Sequence, residues 1–395
     1  MPSIESHGYP LVFGVADSSE VEADPAGQVS VCTEVRALEG MQKEALVRVG
    51  SGRTWRMVSD EGPYLDGTDL APFPLAYFAA GMQFSLLSRI MSEARTGSVG
   101  IASIALTQDA LYSMEGSFLR GDAEGGAMPV RVEVTIESDA DSDVVAELVR
   151  RAVAASGAHA LMRDAMVNVF ALTHNGQRRE LDGLPVSGSS YREPPSFESS
   201  VPDPSHIHTD DILTKTLEAE KVHGVEGGAG SSLQAVQKRT LHVHGEALLR
   251  PDGLMETDIS LFKPIGSSFR FVCDETPERG GTGRAPSPLA YLGAGVGFCY
   301  MTQLGRYAHI KKKTLTSYSL IQQSDFVLGG TTGPDYRPAT AEPFDTHVFM
   351  ESDEADEVAA DFVRTGERTC FLHAAMRGRH ASEIQLRHND AEVEL

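Results

Sequence analysis

The chain has 395 residues, 41% hydrophobic and 23% charged, with a formal net charge of −22. That is the make-up of a soluble globular protein, and it argues against nucleic acid or an anionic membrane as partner, since both are held by basic surfaces. Four cysteines do not make a disulfide framework, and the sequence contains no complete dinucleotide fingerprint or P-loop, so no cofactor is expected.

The first residues, MPSIESHGYPLVFG, show no charged segment followed by an apolar one, so no secretory signal is read and a cytoplasmic location is the expectation. Residues 1–27 read as an N-terminal extension. The decisive feature begins at residue 52. GRTWRMVSDEGPYLDGTDLAPFPLAYFAAGMQFS (52–85) returns as GSSFRFVCDETPERGGTGRAPSPLAYLGAGVGFC (266–299), identical at 17 of 34 positions without a gap. PVRVEVTIESDADSDVVAELVR (129–150) returns as PFDTHVFMESDEADEVAADFVR (343–364) at the same offset of 214. VRALEGM (35–41) aligns more weakly with LRPDGLM (249–255). Near the end, ALMRDAM (160–166) is matched to CFLHAAM (370–376) through a four-residue shift, which sets Ala160 opposite Cys370. A period this long means a duplicated domain rather than a solenoid. Repeat 1 is placed at 28–176, a linker at 177–236 and repeat 2 at 237–390. The linker is rich in Pro, Ser, Asp and Gly, with a short helix expected over 212–222.

In the second copy, strand-like runs cover 240–249, 255–262 and 267–275, the last with period-2 alternation. After a Gly/Pro-rich turn, a helix is expected over 286–309, with Pro favoured in its first turn. Strands at 314–328 and 345–351, a helix at 353–365, a shorter one from Cys370 and a last strand, SEIQLRHN, complete the order. The pattern βββ-α-ββ-αα-β indicates an α+β fold. The apolar runs around 72–87 and 286–301, about 14–16 residues each, are short for a membrane span and read as buried helices. Gly293, Gly295 and Gly297 each cost about 1 kcal/mol inside a helix. Close backbone approach is the usual reason for keeping them, so the two central helices are expected to pack tightly together or against a sheet.

Cys299 stands on that helix, with Gln303 and Arg306 on the same face, and a nearby cation favours the thiolate. Its mate in the first copy is Ser85. Two cysteines present in one copy and absent from the other suggest a pair that acts together. His373 would share the face of Cys370, with Arg163 read as its counterpart. His206-x-His208 and His242-x-His244 have metal-compatible spacing but are read as surface histidines, and no metal is expected. Asp274 and Glu275 recur as Asp60 and Glu61 in the copy without thiols, and so are read as turn residues.

The segment DETPERGGTGRAPSPLAYLGAGVGFCYM, followed about 70 residues later by Cys370, resembles the OsmC/Ohr family. The resemblance implies two OsmC-like units fused as an intramolecular pseudo-dimer with the central helices at its middle, monomeric or further assembled. It implies a thiol peroxidase that reduces organic hydroperoxides, with Cys299 peroxidatic, Cys370 resolving and an external thiol as reductant. The family's arginine falls on Arg250, or on Arg36, taken as its repeat mate and able to serve Cys299 across the interface. The family's acid falls on Leu289, with Leu75 in the first copy, so peroxidase activity is expected to be weak. Alternatives are a cysteine nucleophile acting on a non-peroxide small molecule, and a non-catalytic binding protein.

Overall fold

The computed structural model describes residues 2–16, 27–194, 197–203, 212–219, 237–332 and 335–395. In the first copy a helical turn, α1 (Ile4–His7), precedes strand β1 (Val12–Gly14). A meander follows: β2 (Gln28–Ala37), β3 (Lys43–Val49) and β4 (Trp55–Ser59). The central helix α2 (Pro74–Gly97) leads to β5 (Ser103–Gly116), β6 (Glu124–Ala127) and β7 (Arg131–Glu137). Then come α3 (Ser142–Ala155), α4 (Gly157–Arg163), β8 (Val169–His174) and β9 (Gln177–Arg179). Strand β10 (Leu213–Leu217) precedes the second copy's meander: β11 (Gln237–Leu249), β12 (Met255–Lys263) and β13 (Ser268–Cys273). The second central helix is α5 (Pro288–Ile310). It is followed by β14 (Ser317–Val327) and the short β15 (Gly330–Thr332), β16 (Asp335–Arg337) and β17 (Thr340–Ala341). Strand β18 (Asp345–Glu351), helices α6 (Asp356–Thr369) and α7 (Phe371–Arg377), β19 (Glu383–His388) and β20 (Ala391–Val393) close the chain.

The two copies therefore repeat the same α+β order, but neither large sheet belongs to one copy. One runs β1-β4-β3-β2-β14-β18-β8-β9, the other β10-β13-β12-β11-β5-β7-β19-β20. The meander of each copy is continued by strands of the other, antiparallel at β2/β14 and β11/β5. Each sheet is then extended in parallel by the other copy's late strand, β8 beside β18 and β19 beside β7. The last strand, SEIQLRHN, thus completes the first copy's run of strands rather than its own.

Helices α2 and α5 lie between the sheets, α5 on β2 and β3, α2 on β11 and β12. Proline opens each helix at its first position, where the missing N–H costs nothing. The helices meet at glycine. A Cβ on Gly81 would stand 2.7 Å from the Leu292 backbone nitrogen, and one on Gly295 2.6 Å from that of Phe78. No larger residue permits that approach.

Two expectations change. The helix expected over 212–222 is strand β10 where it is described; residues 220–222 lie outside the described residues. Leu213 pairs with Phe271 as Val12 pairs with Met57, and Met57 and Phe271 are repeat mates. The open edge of β13 offers backbone partners, and the threonines of LTKTL suit a strand, so tertiary pairing overrides local preference. The meander register also differs from the sequence alignment. Arg36 faces Ser319 and Leu248 faces Ala105, and Ser319 and Ala105 are mates at offset 214. Arg36 is therefore the mate of Leu248, not of Arg250, because the first hairpins are offset by 212.

Candidate functional site

Cys299 projects from the middle of α5. Cys370 is the N-cap of α7, at its junction with α6. The fold brings their Sγ atoms to 3.4 Å, both buried and both free thiols. The backbone N–H groups that open α7 serve the pair, Leu372 toward Cys299 and His373 toward Cys370. Burial pushes the Cys299 thiol well above the usual range, and the neighbouring Cys370 adds to this. Burial would raise Cys370 too, but the contact with Cys299 and then His373 hold it well below the usual thiol range. The contact couples the two thiols, and Cys370 is the more acidic of the pair.

The first copy builds the same arrangement in oxygen. Ser85 Oγ lies 2.8 Å from Ser156 Oγ, which lies 2.9 Å from His159 Nδ1. The N–H of Ala158 reaches Ser85 at 3.5 Å and that of His159 reaches Ser156 at 3.4 Å. Cys370 is therefore the mate of Ser156, not of Ala160. The offset of 214 runs unbroken through SGAHALMR and CFLHAAMR, so no four-residue shift exists and His373 answers to His159 rather than Arg163. The shifted alignment followed scattered identities and ignored the shared cap position.

Around the thiols stand buried charges from both copies. Glu61, just after β4, accepts from Thr302 Oγ1 on α5 at 2.9 Å and from the Tyr64 hydroxyl at 2.9 Å. Lys43 at the start of β3 donates to the Met41 carbonyl; burial lowers its pKa, while Glu61, Asp60 and Cys299 oppose the shift. The guanidinium of Arg239 on β11 lies 6.0 Å from the Tyr64 ring, and that of Arg306 on α5 lies 4.9 Å over Phe118. Burial lowers the Arg306 pKa, and the charge of Arg239 lowers it further. These cations are peculiar to the thiol side. The strand registers make Met255 the mate of Lys43 and Gly27 the mate of Arg239, and Ser92 is the mate of Arg306. On the serine side a cavity of about 380 Å³ opens, lined among others by Gly27, Arg89, Arg279 and Leu328.

Of the residues singled out by sequence, Cys299 and Cys370 meet, with Arg306 and His373 close by. Arg36 and Arg250 are not part of this group. Arg36 binds Glu44 at 2.5 Å and Glu198 at 2.9 Å, and Arg250 binds Asp252 at 3.1 Å and Glu256 at 3.6 Å. Acids close to each arginine hold it away from the thiols. Asp274 accepts from Thr282 and Arg284, as Asp60 does from Thr68 and Leu70, so both clasp their turns. Glu61 and its mate Glu275 do more, each accepting from the other copy's central helix, Glu61 from Thr302 and Glu275 from Ser88. Leu289 cannot serve Cys299. Ten helical residues span about 15 Å, and Leu289 Cδ2 would lie 3.6 Å from a Cβ at Gly157, beside Ser156. The pseudo-twofold places Leu75, its mate, toward the thiols.

Sequence reading missed Lys43, Arg239 and Tyr64. The available signal was the contrast between copies, hidden by the two-residue offset of the hairpins. His242 Nε2 and His244 Nδ1 bond Asp109 Oδ1 at 2.6 and 2.9 Å, and His244 stacks on Phe262. These three residues have donor atoms close enough to share a metal ion. His206 and His208 lie outside the described residues. Among the described residues no helix is long and apolar enough to cross a membrane.

Residues 281–386 match the sequence model of the OsmC family, described as OsmC-like protein. Among solved structures, an OsmC-like hydroperoxide resistance protein from Jannaschia sp. CCS1 is 23% identical. That match covers 36% of this chain and 89% of the other, with a TM-score of 0.26. No curated protein matches this chain.

Proposed function

Proceeding from an OsmC-like domain at residues 281–386, we propose that the protein is a thiol-dependent peroxidase that reduces organic hydroperoxides at a single centre. The observation that carries this reading is the Cys299–Cys370 contact at 3.4 Å, set against the Ser85–Ser156 contact in the other copy. Two sulfurs at that distance convert between dithiol and disulfide with little motion.

The Cys299 proton passes to solvent as the Cys299 sulfur attacks the terminal peroxide oxygen. The O–O bond breaks, the alkoxide takes a proton from solvent and leaves as alcohol, and Cys299 becomes a sulfenic acid. The Cys370 sulfur then attacks Cys299, water leaves and a disulfide forms. A small dithiol or two monothiols reduce it and are themselves oxidised. The surrounding cations favour the anionic sulfur and the developing alkoxide. The serine copy supplies Glu61, Lys43 and Tyr64 but has no redox chemistry.

The test is thiol titration after one equivalent of cumene hydroperoxide, with peptide mapping. The reading expects loss of Cys299 and Cys370 together as a disulfide, and in Cys370→Ser an accumulating sulfenic acid on Cys299. Turnover that survives Cys299→Ser, or thiols untouched by peroxide, would overturn it.

A further inference from the structure

Arg239 is 1% exposed, and its Nε and both terminal nitrogens find no hydrogen-bond partner among the described residues. A guanidinium carries five N–H donors in a planar fork, and leaving such a charge buried and unsatisfied is strongly unfavourable. Arg306 and Lys43, 3% and 2% exposed, add two more cations to the same region. Glu61 is the acid common to all three, and Thr302 and Tyr64 already occupy one oxygen each of its carboxylate. The pseudo-symmetric positions hold Gly27, Ser92 and Met255, so the fold does not require these cations. The serine side has two arginines of its own, Arg89 and Arg279, 3.6 and 4.0 Å from Glu275; what sets the thiol side apart is the unsatisfied fork of Arg239.

We infer that the region beside Cys299 binds an anionic oxygen group of the substrate, a carboxylate or a phosphate, with Arg239 as its principal partner. The inference rests on the thiol pair being the reactive centre, and it names the substrate class: a small molecule with an anionic head that holds its reactive part against Cys299. The planar fork of arginine matches both groups in bidentate fashion. A chain with net charge −22 repels anions in general, so binding here is local recognition rather than bulk attraction.

The experiment needs no turnover. Reduced full-length protein is titrated by calorimetry with octanoate, octyl phosphate and octanol, and the alkylation rate of Cys299 by neutral iodoacetamide is followed with each. Octanoate, octyl phosphate or both should bind at least about tenfold tighter than octanol and slow alkylation of Cys299; the tighter of the two identifies the head group. Arg239→Met should lose that preference while gaining thermal stability, because an unpaired buried charge is gone. Equal binding of octanol and both anions by the wild type would overturn the inference, whatever the variant does. So would an Arg239→Met protein that folds and keeps the preference. If hydroperoxide reduction fails while the anions bind, the peroxidase reading falls and this one stands.

Discussion

At the scale of the residue, the site is a comparison between two versions of itself. The contrast of Ser85 with Cys299 is legible in the sequence because the flanking helix repeats without a gap. The contrast at Cys370 is legible as well, because the offset of 214 runs unbroken through SGAHALMR and CFLHAAMR, and the shared N-cap position of Ser156 and Cys370 agrees with it. The coupling of the two thiols gives a direct prediction. Cys370→Ser removes a neighbour that raises the Cys299 thiol, so alkylation of Cys299 at neutral pH should quicken about tenfold, measured by mass spectrometry against time. An unchanged rate would mean that Cys370 does not hold Cys299 in its protonated form. The position of Leu289 gives another. Leu289→Glu sits on the serine side and should leave Cys299 reactivity as it is. Leu75→Glu adds a negative charge on the thiol side, should raise the pH at which Cys299 reacts, and should destabilise the fold wherever the new carboxylate goes unpaired.

At the scale of the element, the helices and strands follow from periodicity, and their exchange does not. Strand runs, glycine-rich central helices and the short helix after Cys370 all appear near their expected places, because alternation, Pro at N1 and glycine content are local signals. Which strand pairs with which is a long-range choice made by register, as β10 and the hairpin of β11 and β12 show. The glycine contacts between α2 and α5 leave no room for a side chain. Gly295→Ala would press a Cβ against the Phe78 backbone, which cannot yield as a flexible side chain can. It should cost about 1–3 kcal/mol in a urea melt. Gly100→Ala, where a Cβ meets nothing within 4 Å, should cost far less.

At the scale of the whole molecule, the pseudo-dimer ties stability to pH through its inactive half. His159 is buried beside Ser156, and burial, then the charge of Arg163, lowers its pKa from 6.5 to about 4. A histidine depressed in the folded state binds its proton more readily once unfolded. Its contribution is therefore complete above pH 6.5, is lost as pH falls from 6.5 toward 4, and changes no further below that. The loss is on the order of 3 kcal/mol, and His159→Gln should flatten that part of the melting profile relative to wild type. The exchanged sheets carry a further consequence, for synthesis. The edges of β2 and β5 stay open until β14 and β11 arrive, and β7 stays uncovered until β19, near the very end of the chain, has left the ribosome. The first half cannot be finished as a domain while the second is being made. It must wait with these strand edges unpaired, a template for the wrong neighbour. Fusion shortens that wait by keeping the right partner on the same chain, where its effective concentration does not depend on how much protein the cell has made.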